Sequence, residues 1–223
     1  MLYLIVSGGP LPDCAAKYIK DISGQNEDHV IICCDGGADF LARFDIIPDM
    51  VVGDMDSITS EGLKFISDNN IFTEHYPVEK DWTDTEIALG KAGVEAQIVL
   101  VCPLAGRIDH VIANLGLVLK MKSLGRDIKI TDGITTCYPL YGEDSAVIDI
   151  SSFEGPVAVS LIPWNFTEPV KGVTTKGLYY ALDDQDIEAG SSYTFSNKPL
   201  DKTSEIAVFI RAGLMFIVVT NAN

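Results

Sequence analysis

Ile98-Val99-Leu100-Val101-Cys102, then Pro103-Leu104-Ala105-Gly106-Arg107, then Ile108-Asp109-His110-Val111-Ile112-Ala113-Asn114-Leu115-Gly116-Leu117-Val118-Leu119-Lys120-Met121-Lys122, is the stretch that decides how the first half of this chain is read. A short apolar run passes through a glycine-bearing loop into a segment where Ile108, Ile112, Leu115 and Leu119 recur at helical spacing, predicting a helix over 109–122. A strand without polar alternation has to be covered on both faces, as in a parallel sheet. Upstream, residues 2–6, 30–34, 50–52 and 71–73 repeat the same texture, short, apolar and partly β-branched, with helix-like segments between them. Thr83 and Glu86 form a capping box that starts another helix and puts Asp84 in its first turn. The expectation is an α/β domain over residues 1–132, a mostly parallel, Rossmann-like sheet flanked by helices.

Beyond about residue 133 the helical period disappears. Residues 146–148, 157–161, 177–182, 206–210 and 214–219 read as antiparallel strands separated by turns, and Arg211-Ala212-Gly213 reads as a hairpin joining the last two. An all-β sandwich over residues 133–223 is therefore expected.

The chain has 223 residues, 47% of them hydrophobic, which is enough for a packed core. Its 32 acidic residues against 16 basic ones give a net charge of −16, which argues against a nucleic-acid partner because phosphate backbones need a basic face. The five cysteines are irregularly spaced, so reduced core thiols are expected rather than disulfides or a zinc site. No apolar run is long enough to span a bilayer, and residues 1–6 lack the basic start of a signal peptide, so the expected compartment is the cytoplasm and no membrane partner is expected.

In open α/β sheets ligands bind beyond the carboxyl ends of the strands. Ser7-Gly8-Gly9-Pro10, Asp35-Gly36-Gly37-Ala38, Gly53-Asp54-Met55-Asp56-Ser57, Lys80-Asp81-Trp82-Thr83-Asp84 and Gly106-Arg107-Ile108-Asp109-His110 each follow a strand-like run and so converge on one edge. Acids mixed with one lysine and one arginine suit a cation-bound polyphosphate. Each residue also has a plainer reading. Asp54 and Asp56 suit a turn as well as a metal, Asp84 suits a helix N-terminus, and Arg107 suits an ion pair with Asp109. The Gly36-Gly37 pair either admits a nucleotide or simply makes a turn. In the β half, Tyr180 offers a stacking surface, and Ser196-Asn197 a donor and acceptor pair or a turn.

Taken together, Gly53-Asp54-Met55-Asp56-Ser57-Ile58, Lys80-Asp81-Trp82-Thr83-Asp84 and Gly106-Arg107-Ile108-Asp109-His110, with Lys176-Gly177-Leu178-Tyr179-Tyr180 and Ser196-Asn197 downstream, resemble the thiamine pyrophosphokinase family in order and spacing. The resemblance implies a catalytic α/β domain, a thiamine-binding β-sandwich and a homodimer with active sites at the subunit interface. It implies transfer of the pyrophosphoryl group of ATP to the hydroxyl of thiamine, giving thiamine diphosphate and AMP. By position, Asp54, Asp56 and Asp84 would hold Mg²⁺, with Asp109 near the metal or the hydroxyl. Lys80 and Arg107 would contact phosphates, Gly36 and Gly37 would lie near the nucleotide, and Tyr180, Ser196 and Asn197 would line the thiamine pocket. Whether Asp84 or Asp109 takes the hydroxyl proton stays open.

Overall fold

A computed structural model describes residues 1–153 and 155–221, so Glu154, Ala222 and Asn223 of the expected β domain lie outside the described residues. The chain divides into two units, residues 1–117 with 125–133, and residues 118–124 with 134–223.

Over residues 1–133 strands and helices alternate: β1 (Leu2–Val6), α1 (Cys14–Gly24), β2 (His29–Cys34), α2 (Gly37–Arg43), β3 (Met50–Gly53), α3 (Ser60–Asp68), β4 (Phe72–His75), α4 (Asp84–Gly90), β5 (Gln97–Val101), α5 (Ile108–Ser123, whose residues from 118 on count with the second unit) and β6 (Asp127–Thr131). The strands of the first unit lie in the order β4-β3-β2-β1-β5-β6. All the pairs are parallel, with Leu4 opposite both Ile31 and Val99. The α/β reading is therefore correct, and the apolar runs are explained by burial of both sheet faces. Leu4, Val6, Ile31, Cys33, Val51 and Val99 pack with Ala15, Ile19, Phe40, Leu41 and Ile66 of α1–α3. The alternate residues Ile5, Ile32, Cys34, Val52 and Leu100 are also buried, and α4 packs against β1, β2 and β3. Each such aliphatic side chain contributes roughly 1.5–3 kcal/mol relative to exposure.

Two features differ from the expected pattern. β6 is not among the expected strands, because Asp127 and Lys129 interrupt its apolar run. In α5 the expected inward stripe is exposed at its start, with Ile108 67% and Ile112 54% accessible, whereas Val111, Asn114 and Val118 are buried.

The second unit contains β7 (Thr135–Tyr141), β8 (Asp144–Asp149), β9 (Val157–Pro163), β10 (Val170–Lys176), β11 (Gln185–Ile187), β12 (Glu205–Ile210) and β13 (Leu214–Asn221). β7, β13 and β9 are neighbours in antiparallel pairing, and β11-β10-β12-β8 form a second antiparallel sheet. Residues from both, including Val159, Leu161, Met215 and Ile217 from one and Val173, Ile206, Val208 and Ile210 from the other, share one core, as a sandwich requires. The Arg211-Ala212-Gly213 link is not a hairpin. It carries the chain from one sheet to the other, since β12 pairs with β10 and β8 while β13 pairs with β7 and β9. Gly213, at φ +122°, passes so close to Val170 that a Cβ would sit 2.9 Å from its Cα. Residues 177–182 are likewise not a strand. They fold back over β10, with Thr175 donating its backbone N–H to Leu182 (3.0 Å), which leaves Tyr179 and Tyr180 exposed.

No helix among the described residues is long and apolar enough to cross a membrane.

Candidate active site

The carboxyl ends of β2 and β3 gather the acids. Asp35 follows β2 in a left-handed conformation, φ +42°, which costs a non-glycine residue about 1–2 kcal/mol. Its backbone N–H still donates to Val52 O (3.0 Å) and its carbonyl accepts from Ala38 N (2.9 Å), so the strain is held in place from both sides. Asp54 follows β3, and its Oδ1 accepts from Asp56 N at 3.2 Å, with Met55 between them at φ +66°. The turn reading of this pair is thus correct locally, and it is compatible with a shared ligand. One carboxylate oxygen from each of Asp35, Asp54 and Asp56 lies within 4.8 Å of the others.

Asp84 comes from a different part of the sheet. Its helix, α4, starts after β4 but packs across β1, β2 and β3. Thr83 caps it by accepting from Glu86 N at 3.2 Å, and Thr85 anchors the first turn to the β1 loop through a buried 2.9 Å hydroxyl contact with Ser7. That path carries the Asp84 carboxylate to the ends of β2 and β3, where a Cβ on Gly53 would sit 3.4 Å from Asp84 Cγ and 3.0 Å from Asp35 Cβ. Gly53, at φ +150°, has no side chain where the acids converge.

Lys80 joins them. Its Nζ lies 3.2 Å from Asp84 Oδ1 and 3.7 Å from Asp54 Oδ2, and donates to Pro77 O at 3.0 Å, with the Lys80 side chain only 12% exposed. One ammonium does not satisfy so many acceptors. Oδ1 of Asp35 and Oδ1 of Asp84 are buried with no hydrogen-bond partner, the latter close to Lys80 but outside hydrogen-bonding geometry. Burial is the chief cause raising the Asp84 carboxyl above its ordinary range, partly offset by Lys80. Asp54 is held low, first by the Asp56 backbone N–H, whereas Asp56 is raised by sharing a proton position with, and being repelled by, Asp54.

These observations test the site for a divalent cation, and the residues fit one. Hard carboxylate oxygens, one of them (Asp35 Oδ1) buried without a partner and another (Asp84 Oδ1) met only by the Lys80 ammonium, are a donor set suited to Mg²⁺. Asp35 is the member of the group that sequence reading alone did not place among the ligands. A lone Asp before two glycines reads as a turn, and its signal is only that it follows a strand on the same edge.

The other expected residues sit apart from this cluster. Arg107 and Asp109 pair with each other at the start of α5, through Nη2 to Oδ2 at 2.5 Å and Nε to Oδ1 at 3.3 Å, and both are well exposed. The Arg107 contact holds the Asp109 carboxyl below its usual range. Among the described residues neither forms a hydrogen bond or ion pair with the acidic cluster. Gly36 donates its N–H to Ser57 Oγ (3.1 Å), and Gly37 has a packing reason for lacking a side chain, because a Cβ there would meet Val6 O at 2.9 Å.

In the second unit Tyr180 and Asn197 meet. Asn197 is buried, and its amide accepts from Tyr180 N (3.1 Å) and Lys198 N (2.9 Å) while donating to Tyr180 O (2.8 Å). Its backbone also pairs both ways with Val159 at 2.8 Å. Asn197 therefore staples the loop that presents Tyr180, which is 66% exposed and edge-to-face with Tyr179. Ser196, exposed and at φ +54°, donates its backbone N–H to Ser160 Oγ (3.0 Å). Lys198 Nζ lies 4.5 Å from the Tyr179 ring centre.

Comparison with known proteins separates the same two parts. Residues 24–131 match the family described as thiamin pyrophosphokinase, catalytic domain, and residues 146–215 match thiamin pyrophosphokinase, vitamin B1 binding domain. The chain is 32% identical over 200 residues to thiamine pyrophosphokinase of Bacillus subtilis (strain 168), covering 87% of each chain. It is 27% identical over 231 residues to thiamine pyrophosphokinase 1 of Oryza sativa subsp. japonica, covering 88% of this chain and 86% of the relative. The crystal structure of the Bacillus subtilis thiamine pyrophosphokinase superposes with a TM-score of 0.81 at 26% identity, covering all of both chains. That of the Geobacillus thermodenitrificans protein superposes at 0.78 and 26%, covering all of this chain and 98% of the other.

Proposed function

The chain belongs to the thiamine pyrophosphokinase family, and on that premise we propose how its residues carry out the reaction. The activity is transfer of the pyrophosphoryl group of ATP to thiamine, with thiamine diphosphate and AMP as products. The hydroxyethyl oxygen of thiamine bonds to the β-phosphorus, the bond from that phosphorus to the α,β-bridging oxygen breaks, and the hydroxyl proton is lost to a base. Such a transfer depends on alignment and charge neutralisation more than on covalent help.

The observation that carries the assignment of the site is the acidic cluster, with Asp35 Oδ1 buried and unpartnered and Asp84 Oδ1 met only by Lys80. Asp54, Asp56 and Asp84, joined by Asp35, hold Mg²⁺. When bound, the ion neutralises charge on the triphosphate. Lys80, anchored between Asp54 and Asp84, keeps those carboxylates close together and offers its ammonium to phosphate oxygens. Arg107 contacts phosphate by exchanging its Asp109 partner for a phosphate group, two oxygens of which accept from the guanidinium as the carboxylate does. The Gly36–Gly37 backbone borders the nucleotide. Asp84 and Asp109 are the two candidate bases for the hydroxyl proton: in the metal-free protein burial raises the first and Arg107 holds the second low, and metal binding at Asp84 and release of Arg107 from Asp109 would each change that order.

The first domain, 1–132, carries ATP and the metal; the second, 133–223, carries thiamine. There Tyr180 stacks on the cationic thiazolium, and Ser196 and Asn197 border it. The protein works as a cytoplasmic homodimer with active sites at the subunit interface, supported by its family membership and tested by sedimentation over a concentration series. Purified protein given ATP, Mg²⁺ and thiamine should form AMP and thiamine diphosphate in equal amounts. AMP without thiamine diphosphate, or ligand binding without turnover, would overturn the assignment.

A further inference from the structure

The loops that follow β2 and β3 are stitched together twice, and the two stitches differ in kind. At the outer one, Asp39 on α2 accepts from Thr59 N (3.1 Å) and Thr59 Oγ1 (2.6 Å), holding the residue that caps α3, with no hydrogen bond to the acids of the site among the described residues. At the inner one, Ser57 Oγ donates to Asp35 Oδ2 and accepts from Gly36 N at 3.1 Å. That hydroxyl uses its donor and an acceptor at once. The approach depends on Gly36, since a Cβ there would sit 2.9 Å from Ser57 Oγ.

The inner stitch has a consequence for the carboxylate it touches. Asp35 is held in a left-handed conformation, with Oδ2 engaged by Ser57 and Oδ1 buried and unpartnered, and one oxygen of this carboxylate lies within 4.8 Å of an oxygen of Asp54 and of Asp56. We propose that Ser57 is a positioning residue for the divalent-cation site. By occupying Oδ2 it fixes the rotation of the Asp35 carboxylate and keeps Oδ1 available to the ion. The inference rests on the acidic cluster being the Mg²⁺ site. Groups that orient a ligand typically change metal affinity 10–100-fold when removed. Because the Asp39–Thr59 stitch holds the loop independently, losing Ser57 Oγ frees the carboxylate without releasing the loop.

The test is a titration of the metal-free protein with Mn²⁺, following the free-ion paramagnetic resonance signal, alongside the Mg²⁺ concentration for half-maximal turnover. Ser57→Ala should bind Mn²⁺ at least about 10-fold more weakly and need correspondingly more Mg²⁺, with turnover at saturating Mg²⁺ close to that of the parent. Ser57→Thr, which keeps the hydroxyl, should restore the affinity, and Thr59→Ala should leave it unchanged. Ser57→Cys, similar in volume with a weak S–H donor, carries the same expectation as the Ala variant should that variant fail to fold. If Ser57→Ala binds Mn²⁺ as the parent does while Asp54→Asn is weakened, the role of Ser57 is refuted and the metal site stands. If Asp54→Asn is also unchanged, or the parent binds no Mn²⁺, the metal site itself is refuted and the role of Ser57 falls with it.

Discussion

The parallel sheet of the first unit carries acids at both of its ends, and only one end has the makings of a catalytic site. At the amino ends of the strands, Glu27, Asp28, Glu95 and Asp127 line a cavity of about 490 Å³ with Met1, Leu2 and Gln97. All four acids are exposed; Asp28 lies 3.8 Å from the N-terminal amine and Asp127 accepts from Gln97 Nε2 at 3.3 Å. Water and near neighbours meet their needs. At the carboxyl ends, Asp35 and Asp56 gather with Asp54 and Asp84, which flank one lysine; Asp35 Oδ1 is buried without a partner, and Asp84 Oδ1 is buried with only the lysine beside it. A cavity lined by acids therefore does not by itself mark the site. What distinguishes the two is unmet acceptor capacity under burial, which a cation or its polyphosphate complex can satisfy and solvent cannot reach.

The contrast can be broken most directly by charge removal at each end. Asp54→Asn should lower turnover about 1,000-fold, equivalent to about 4 kcal/mol of barrier, while Asp28→Asn should leave the rate within about twofold. Equal effects in a steady-state assay of AMP formation would erase the distinction. Next in size is Lys80→Met, which leaves Asp54 and Asp84 facing each other without their cation. Side-chain exposures of 12%, 13% and 22% at these three residues put the loss in the metal-free protein at roughly 2–3 kcal/mol, below the cost for a fully buried pair. Urea unfolding should show that deficit shrinking when Mg²⁺ is added, and a deficit indifferent to Mg²⁺ would argue for a purely structural lysine.

The smallest effect concerns pH. Burial raises Asp84, so the folded protein keeps a proton there that the unfolded chain has released. Metal-free stability should therefore fall as pH rises from the unfolded carboxyl value of about 4 through the higher folded one, and Asp84→Asn should remove that fall. Asp54, held low, acts in the opposite sense, adding stability above the unfolded value that is lost as pH drops through its folded one. Parallel unfolding curves for parent and Asp84→Asn across this range would show that Asp84 is not the strained carboxylate.

Much of this was legible residue by residue. The apolar runs specified β1, β2, β3 and β5, because strands buried on both faces leave a continuous hydrophobic signature, and the short run at 71–73 marked β4 although it lies at the exposed edge of the sheet. Thr83 and Glu86 specified the start of α4, because capping is a contact three residues long. Where two patterns overlap, periodicity loses its power. α5 is apolar at Ile108, Val111, Ile112, Ala113, Leu115, Leu117, Val118, Leu119 and Met121, nearly all round, so spacing alone could not tell that Val111 and Val118 face inward while Ile112 is exposed. The same holds for the Arg211-Ala212-Gly213 link, where two adjacent strands look like a hairpin but belong to opposite sheets.

By itself, then, the sequence determined the α/β then all-β order, the strand ends on which functional loops hang, and a set of motifs whose order resembles one family. These are properties of short segments, set by hydrophobic period and local hydrogen bonding. Only the tertiary structure decided that Asp84, beyond β4, meets Asp54 beyond β3, because α4 crosses the sheet to pack on β1, β2 and β3. It alone brought in Asp35, whose backbone strain and Ser57 contact have no counterpart in the local pattern. Such groups are tens of residues apart in the chain, and their burial and unmet hydrogen bonds come into being only when the packed sheet closes water out.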